Sequence, residues 1–151
     1  MTTPPARPDN ATLRKFGYPE SSLCDYPHWS VVLRPAQATL GALVLVATEP
    51  VQRFSALSSS AFTELGTVIA ACEATLGRLF AYQRINYLML MMVDPDVHFH
   101  VLPRYAEPRA FEGVDCTDPG WPGPPRLDHA NPLSDAAWQC LRDQLRAAWP
   151  R

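Results

Sequence analysis

The stretch Val93 to Tyr105 reads VDPDVHFHVLPRY and sets two of the chain's four histidines two residues apart. Imidazoles alternating with Val97, Phe99 and Val101 are a strand pattern, because residues i, i+2 and i+4 of a β-strand share one face. Asp96, His98, His100 and Leu102 then point one way while the apolar set points to a core. Same-face neighbours stand roughly 6.6 Å apart, close enough for one small ligand to touch both imidazoles. A chain with this strand has to build a sheet with one packed face and one face that carries polar chemistry.

The flanking sequence supplies the rest of such a sheet. His28 to Arg34 (HWSVVLR) and Ala42 to Thr48 (ALVLVAT) are β-branched and aliphatic runs split by a loop, and read as two strands. The serines at 58–60 offer N-cap oxygens. After them Phe62, Leu65, Ile69, Cys72, Leu76, Leu79 and Phe80 recur at three- and four-residue steps, which predicts an amphipathic helix reaching about Ala81. The run RINYLMLMMVD is apolar on both faces over Leu88 to Val93, as a central strand requires. Val97 to Leu102 forms the next strand, closed by Pro103, which cannot donate to a ladder.

Residues 104–133 are dense in Pro and Gly and are expected to be irregular. Ser134 opens a second helix, with Ala137, Trp138, Leu141, Leu145 and Trp149 at helical spacing. The first 20 residues, rich in Pro, Thr and Asn, are expected to form a flexible arm, and residues 21–151 a single domain. Strands, helix, strands, loop and helix make this an α+β fold with a mainly antiparallel sheet.

Charge and cysteine usage narrow the function. A formal net charge of −2 argues against a nucleic-acid binder, which collects a basic surplus on one face. Cys24, Cys72, Cys116 and Cys140 are scattered without a Cys-x-x-Cys pair, and the sequence opens MTTPPARPDN without an apolar leader, so reduced thiols in the cytoplasm are expected. The longest apolar run, INYLMLMMV, is too short to cross a bilayer. Neither nucleic acid nor membrane is expected as a partner.

A neutral imidazole is a good nucleophile towards phosphorus, and the phosphoryl-histidine it forms can be hydrolysed afterwards. One ring nitrogen must face the substrate while the other donates to a fixed acceptor that selects the tautomer. A second chemistry fits the same pair: His-x-His with Asp96 can offer ligands to zinc or iron, although no further His or Cys is placed by sequence to complete the set. His28 and His129 are solitary and read as ordinary surface or loop residues, and Met89, Met91 and Met92 as packing.

The run DVHFHVLPR resembles the signature of the histidine triad (HIT) family, His-φ-His-φ-His-φ-φ with φ apolar, at every position except the first, where Asp96 stands. Upstream, Leu40 to Ser58 (LGALVLVATEPVQRFSALS) is similar to that family's strand and its entry to the main helix. WPGPP at Trp121 to Pro125 resembles a bacterial branch. The resemblance implies a five-stranded sheet with two helices, joined across a two-fold homodimer, acting on nucleotides at the α-phosphate without metal or other cofactor. His98 matches the nucleophile and His100 the third histidine, which holds or neutralises the phosphate. Asp96, Arg34, Arg104 and Trp121 are the expected nucleotide- or phosphate-binding residues.

The departures bear on mechanism. Asp96 either repels a phosphate or accepts a hydrogen bond from a neighbour. Where many members carry Ser or Gln donors this chain has Met92 and Val93, Arg34 stands at a ribose-contacting Asp or Asn, and Ala42 at a frequent His. Arg34 and Arg104 can serve an oxyanion or simply face solvent, and Trp121 can cover a base or anchor its loop. The expected function is therefore nucleotidyl hydrolysis or transfer on a dinucleoside polyphosphate or nucleoside phosphoramidate. The alternative is a nucleotide-binding module of the same fold with reduced or no catalysis.

Overall fold

The computed structural model of the protein describes residues 10–151. Its elements in chain order are α1 (Ala11–Lys15), β1 (Ser22–Asp25), β2 (Trp29–Leu33), β3 (Leu43–Ala47), a 3-10 turn (Phe54–Ala56), α2 (Ser59–Phe80), β4 (Arg84–Leu88), β5 (His98–Arg104), a hairpin of β6 (Arg109–Phe111) and β7 (Val114–Cys116), and α3 (Asp135–Ala148). The five longer-range strands form one antiparallel sheet in the order β1-β2-β3-β5-β4.

Strand alternation sorts the side chains into two layers. Val31, Leu33, Leu43, Leu45 and Val101 face α2 and α3, where they meet Val68, Cys72, Leu76, Leu141 and Leu145 in the main core. Val32, Val44 and Val46 face the other way, with His98 and His100 beside them. Both helices begin where expected: Ser58 caps α2 by accepting from the Ala61 amide, and Ser134 caps α3 by accepting from the Ala137 amide. At the entrance to β3, Gly41 has φ +87, and a Cβ there would lie 2.9 Å from Leu76 Cδ2. Glycine is required on both counts, and its absence of side chain lets the sheet close onto α2.

Four expectations need correction. β4 is an edge strand, not a central one, and the chain leaves the sheet after Leu88. The doubly apolar run that suggested a central strand falls largely in the following turn, where Met92 and Val93 are 90% and 83% exposed. β5 continues through Pro103, because its ladder with β3 ends at Val101 and Pro103 faces only Ile85 of β4. The segment 104–133 is not wholly irregular: Glu112 and Gly113, with φ of 48 and 78, make the two-residue turn of the β6–β7 hairpin.

The fourth correction concerns the N-terminus. Residues 1–9 of the expected flexible arm lie outside the described residues, but residues 10–20 are docked. Asn10 caps α1 by accepting from the Leu13 amide at 3.0 Å, and Leu13 and Phe16 bury themselves against Val32, Val44 and Val46. Two apolar residues three apart suffice to seat one helical turn, too short a stretch for periodicity to reveal.

Candidate functional site

β5 lies between β3 and β4, so its side chains sit mid-sheet. His98 stands opposite Val46, and His100 opposite Val44 on one side and Leu88 on the other. The imidazoles thus rest on a largely apolar floor, with ring centroids 5.2 Å apart at 74°.

One contact decides which nitrogen of His98 can react. Nδ1 lies 2.6 Å from the backbone carbonyl oxygen of Asp96. A carbonyl can only accept, so Nδ1 carries a proton, and in the neutral ring the lone pair is on Nε2. That Nε2 is buried with no hydrogen-bond partner among the described residues, as is Nδ1 of His100. Unpartnered buried nitrogens are costly, which marks the pair as a candidate ligand site.

His100 is held neutral. Burial, followed by the charge of Arg34 and then by His98, lowers its pKa from 6.5 to about 4. An unfolded chain protonates this residue near 6.5 while the folded chain resists until about 4. The unfolded state therefore holds more protons across that window, and the contribution present above it is lost as pH falls through it. We expect the stability lost between pH 7 and 4 to include on the order of 2 kcal/mol from His100, absent in His100→Gln. Urea midpoints measured across that range for both proteins check this.

The face that His98 presents is closed to solvent. His98 is 0% and His100 6% exposed, because Phe16 stands over both, its ring centroid 6.3 Å from the first and 5.5 Å from the second. Further contacts fasten α1. Thr12 Oγ1 donates to Asp96 Oδ2 at 3.0 Å, Lys15 Nζ meets Asp94 Oδ2 at 2.6 Å, and Asn10 Nδ2 donates to the Ala47 carbonyl at 3.2 Å. Asp96 thus contributes its carbonyl to His98 and its carboxylate to α1. Of the two expected roles for Asp96, the structure displays a hydrogen bond accepted from a neighbour, with Thr12 as the donor.

The closure rests on two buried side chains, Leu13 and Phe16, and on a partly exposed ion pair, Lys15–Asp94, that adds at most about 1 kcal/mol.

The remaining candidate residues divide. Arg34 follows β2 on the histidine face, donates from Nη1 to the Ala36 carbonyl, and leaves a buried Nε unpartnered. Burial lowers its pKa, and its charge is felt at His100. Among the described residues no carboxylate pairs with it, which makes it a cation suited to an anionic ligand.

Arg104 is a different case. Its Nε and Nη2 bind Asp118 at 2.7 and 3.1 Å, Nη1 binds Asn86 Oδ1, and Nη2 also binds the Gly123 carbonyl. It lies four residues beyond His100, roughly 13 Å along the strand. The phosphate contact expected of Arg104 gives way to an internal one: it ties the loop that carries Trp121 to the sheet. Trp121 lines an open hollow of about 570 Å³ beside Arg84, Ile85 and Asn86, apart from the histidines.

No group of three or more His, Cys, Asp or Glu converges to hold a metal ion among the described residues. The sequence reading missed Thr12, Lys15 and Phe16. The available signal was Asn10 followed by Leu13 and Phe16, an N-cap before two apolar residues on one helical face.

Comparison with known proteins falls on the side of structure. No family model matches the chain, and no curated protein does. Solved structures do. A histidine triad protein from Bradyrhizobium japonicum superposes with a TM-score of 0.71 at 20% identity, covering 93% of this chain and 96% of that one. A histidine triad protein from Sinorhizobium meliloti gives 0.69 at 20% identity, over 91% and 93%. The diadenosine triphosphate hydrolase of Plasmodium falciparum gives 0.60 at 9% identity, over 85% and 76%. The chain therefore has the α+β histidine triad fold, a five-stranded antiparallel sheet with helices packed on it, and the structures it matches are mainly bacterial.

Proposed function

We propose that the protein hydrolyses or transfers a nucleotidyl group at the α-phosphate, with His98 as nucleophile. The observation that carries this reading is the hydrogen bond from His98 Nδ1 to the Asp96 carbonyl, which leaves Nε2 as the free lone pair on the ligand face. Nε2 attacks the α-phosphorus, the bond to the leaving group breaks with its electrons departing on that group, and a nucleotidyl-histidine forms. Water then adds to phosphorus, the N–P bond breaks, and a nucleoside monophosphate leaves. Neutral His100 and the unpaired Arg34 face the developing charge. Attack requires Phe16 to move, since it covers the ring in the closed arrangement.

The fold is shared with a diadenosine triphosphate hydrolase, which supports a dinucleoside polyphosphate or nucleoside phosphoramidate as substrate. We further infer a homodimer joined through β4, whose outer edge has no strand partner among the described residues and is followed by the exposed Leu90, Met92 and Val93.

A second reading has its own support. Asp96 in place of a histidine, Met92 and Val93 in place of donors, and the sealed ring all favour a binding module without turnover. Incubation with diadenosine tetraphosphate and a nucleoside phosphoramidate, beside calorimetry with AMP and GMP, separates the two. Nucleotide release is the expected result, binding without release supports the module, and the absence of both binding and release removes both readings.

A further inference from the structure

We infer that α1 is a latched lid over the imidazole pair, and that Asp96 serves as its latch in place of an imidazole. The inference rests on the nucleotide reading for what enters, but not for the lid itself. Phe16 is a wedge: its ring meets His98 in a tilted contact and His100 edge-on. Nothing polar on α1 satisfies His98 Nε2 or His100 Nδ1. A permanent core element would be expected to pair or replace such nitrogens, whereas a removable cover leaves them for a ligand.

The fastenings are of a releasable kind. Lys15 is 49% and Asp94 19% exposed by side chain, so water can compete for that pair. The Thr12–Asp96 and Asn10–Ala47 contacts are single hydrogen bonds. On its C-terminal side α1 runs directly into Gly17, whose φ of +86 turns the chain away towards β1. The two aspartates in VDPD therefore share one task, receiving the two polar ends of a single helical turn. An arriving phosphate would meet Arg34, His98 and His100 only once that turn lifts, so the open fraction sets how often the site can be used.

The test reads imidazole access directly in the full chain. Carbethoxylation by diethyl pyrocarbonate is followed at each histidine by peptide mass mapping, with Phe16→Ala and, separately, Thr12→Val/Lys15→Gln, which keeps the aromatic wedge and the core. In the wild type His98 and His100 are expected to react at least about tenfold more slowly than the more exposed His28, and either variant to raise the His98 rate about tenfold. AMP is expected to slow that reaction in the variants and to bind them more tightly than the wild type. Wild-type His98 reacting as fast as His28, or no change in either variant with native circular dichroism retained, overturns the lid. Exposed imidazoles that AMP neither protects nor binds uphold the lid and overturn the nucleotide reading.

Discussion

His98→Asn is expected to lower nucleotide release by at least about a thousandfold while leaving the fold intact, the loss typical of removing a covalent nucleophile. The side-chain amide of asparagine can still donate to the Asp96 carbonyl, and it is close to imidazole in width, so the buried contact made at 2.6 Å has a substitute. What it lacks is a lone pair able to form an N–P bond. Single-turnover release from a nucleoside phosphoramidate, compared between the two proteins at matched thermal stability, checks this. Equal release by both would place the chemistry elsewhere. AMP binding is expected to change little, because Arg34 and His100 are untouched.

Asp118→Ala is expected to destabilise the protein by about 3–5 kcal/mol, since it leaves a buried guanidinium without its counter-charge. The Asp118 carboxylate is 0% exposed and receives Arg104 Nε, Arg104 Nη2 and the Tyr105 amide. For a chain of this size that corresponds to a melting temperature lower by roughly 10 °C or more. Replacing both partners, Arg104→Met with Asp118→Ala, is expected to recover part of the loss, because no unpaired charge remains. Differential scanning calorimetry on the single and double variants reads both effects. An unchanged melting temperature in Asp118→Ala would show that Arg104 is not held for structure and return it to the phosphate candidates.

The two effects mark the two ends of one strand. At its start β5 presents imidazoles to an apolar floor that α1 covers, and at its end it anchors the loop through Arg104. Sequence alternation revealed the strand and the face of its histidines because the period of two is imposed by local backbone geometry. It could not reveal that Arg104 meets Asp118, since a contact fourteen residues apart depends on how an irregular loop folds back.

The same division explains the rest. β2 and β3 were legible as β-branched and aliphatic runs split by a loop, and α2 and α3 because each carries helical spacing behind a serine cap. β4 was misplaced because an apolar run reports burial or exposure only through its neighbours, and here Met92 and Val93 project from a turn. β1 and α1 are too short to show a period. The role of Asp96 was beyond reach for a related reason: its two partners are the imidazole two residues on and a threonine 84 positions away.

In the proposed reaction His98 Nε2 reaches phosphorus once Phe16 has withdrawn. The most direct measurement is a crystal structure grown with AMP. The expected result is a phosphate on the histidine face, with phosphorus about 3–3.5 Å from His98 Nε2 in line for bond formation, Arg34 and His100 beside it, and α1 displaced from Val44 and Val46. AMP bound elsewhere while Phe16 still covers both imidazoles would contradict it.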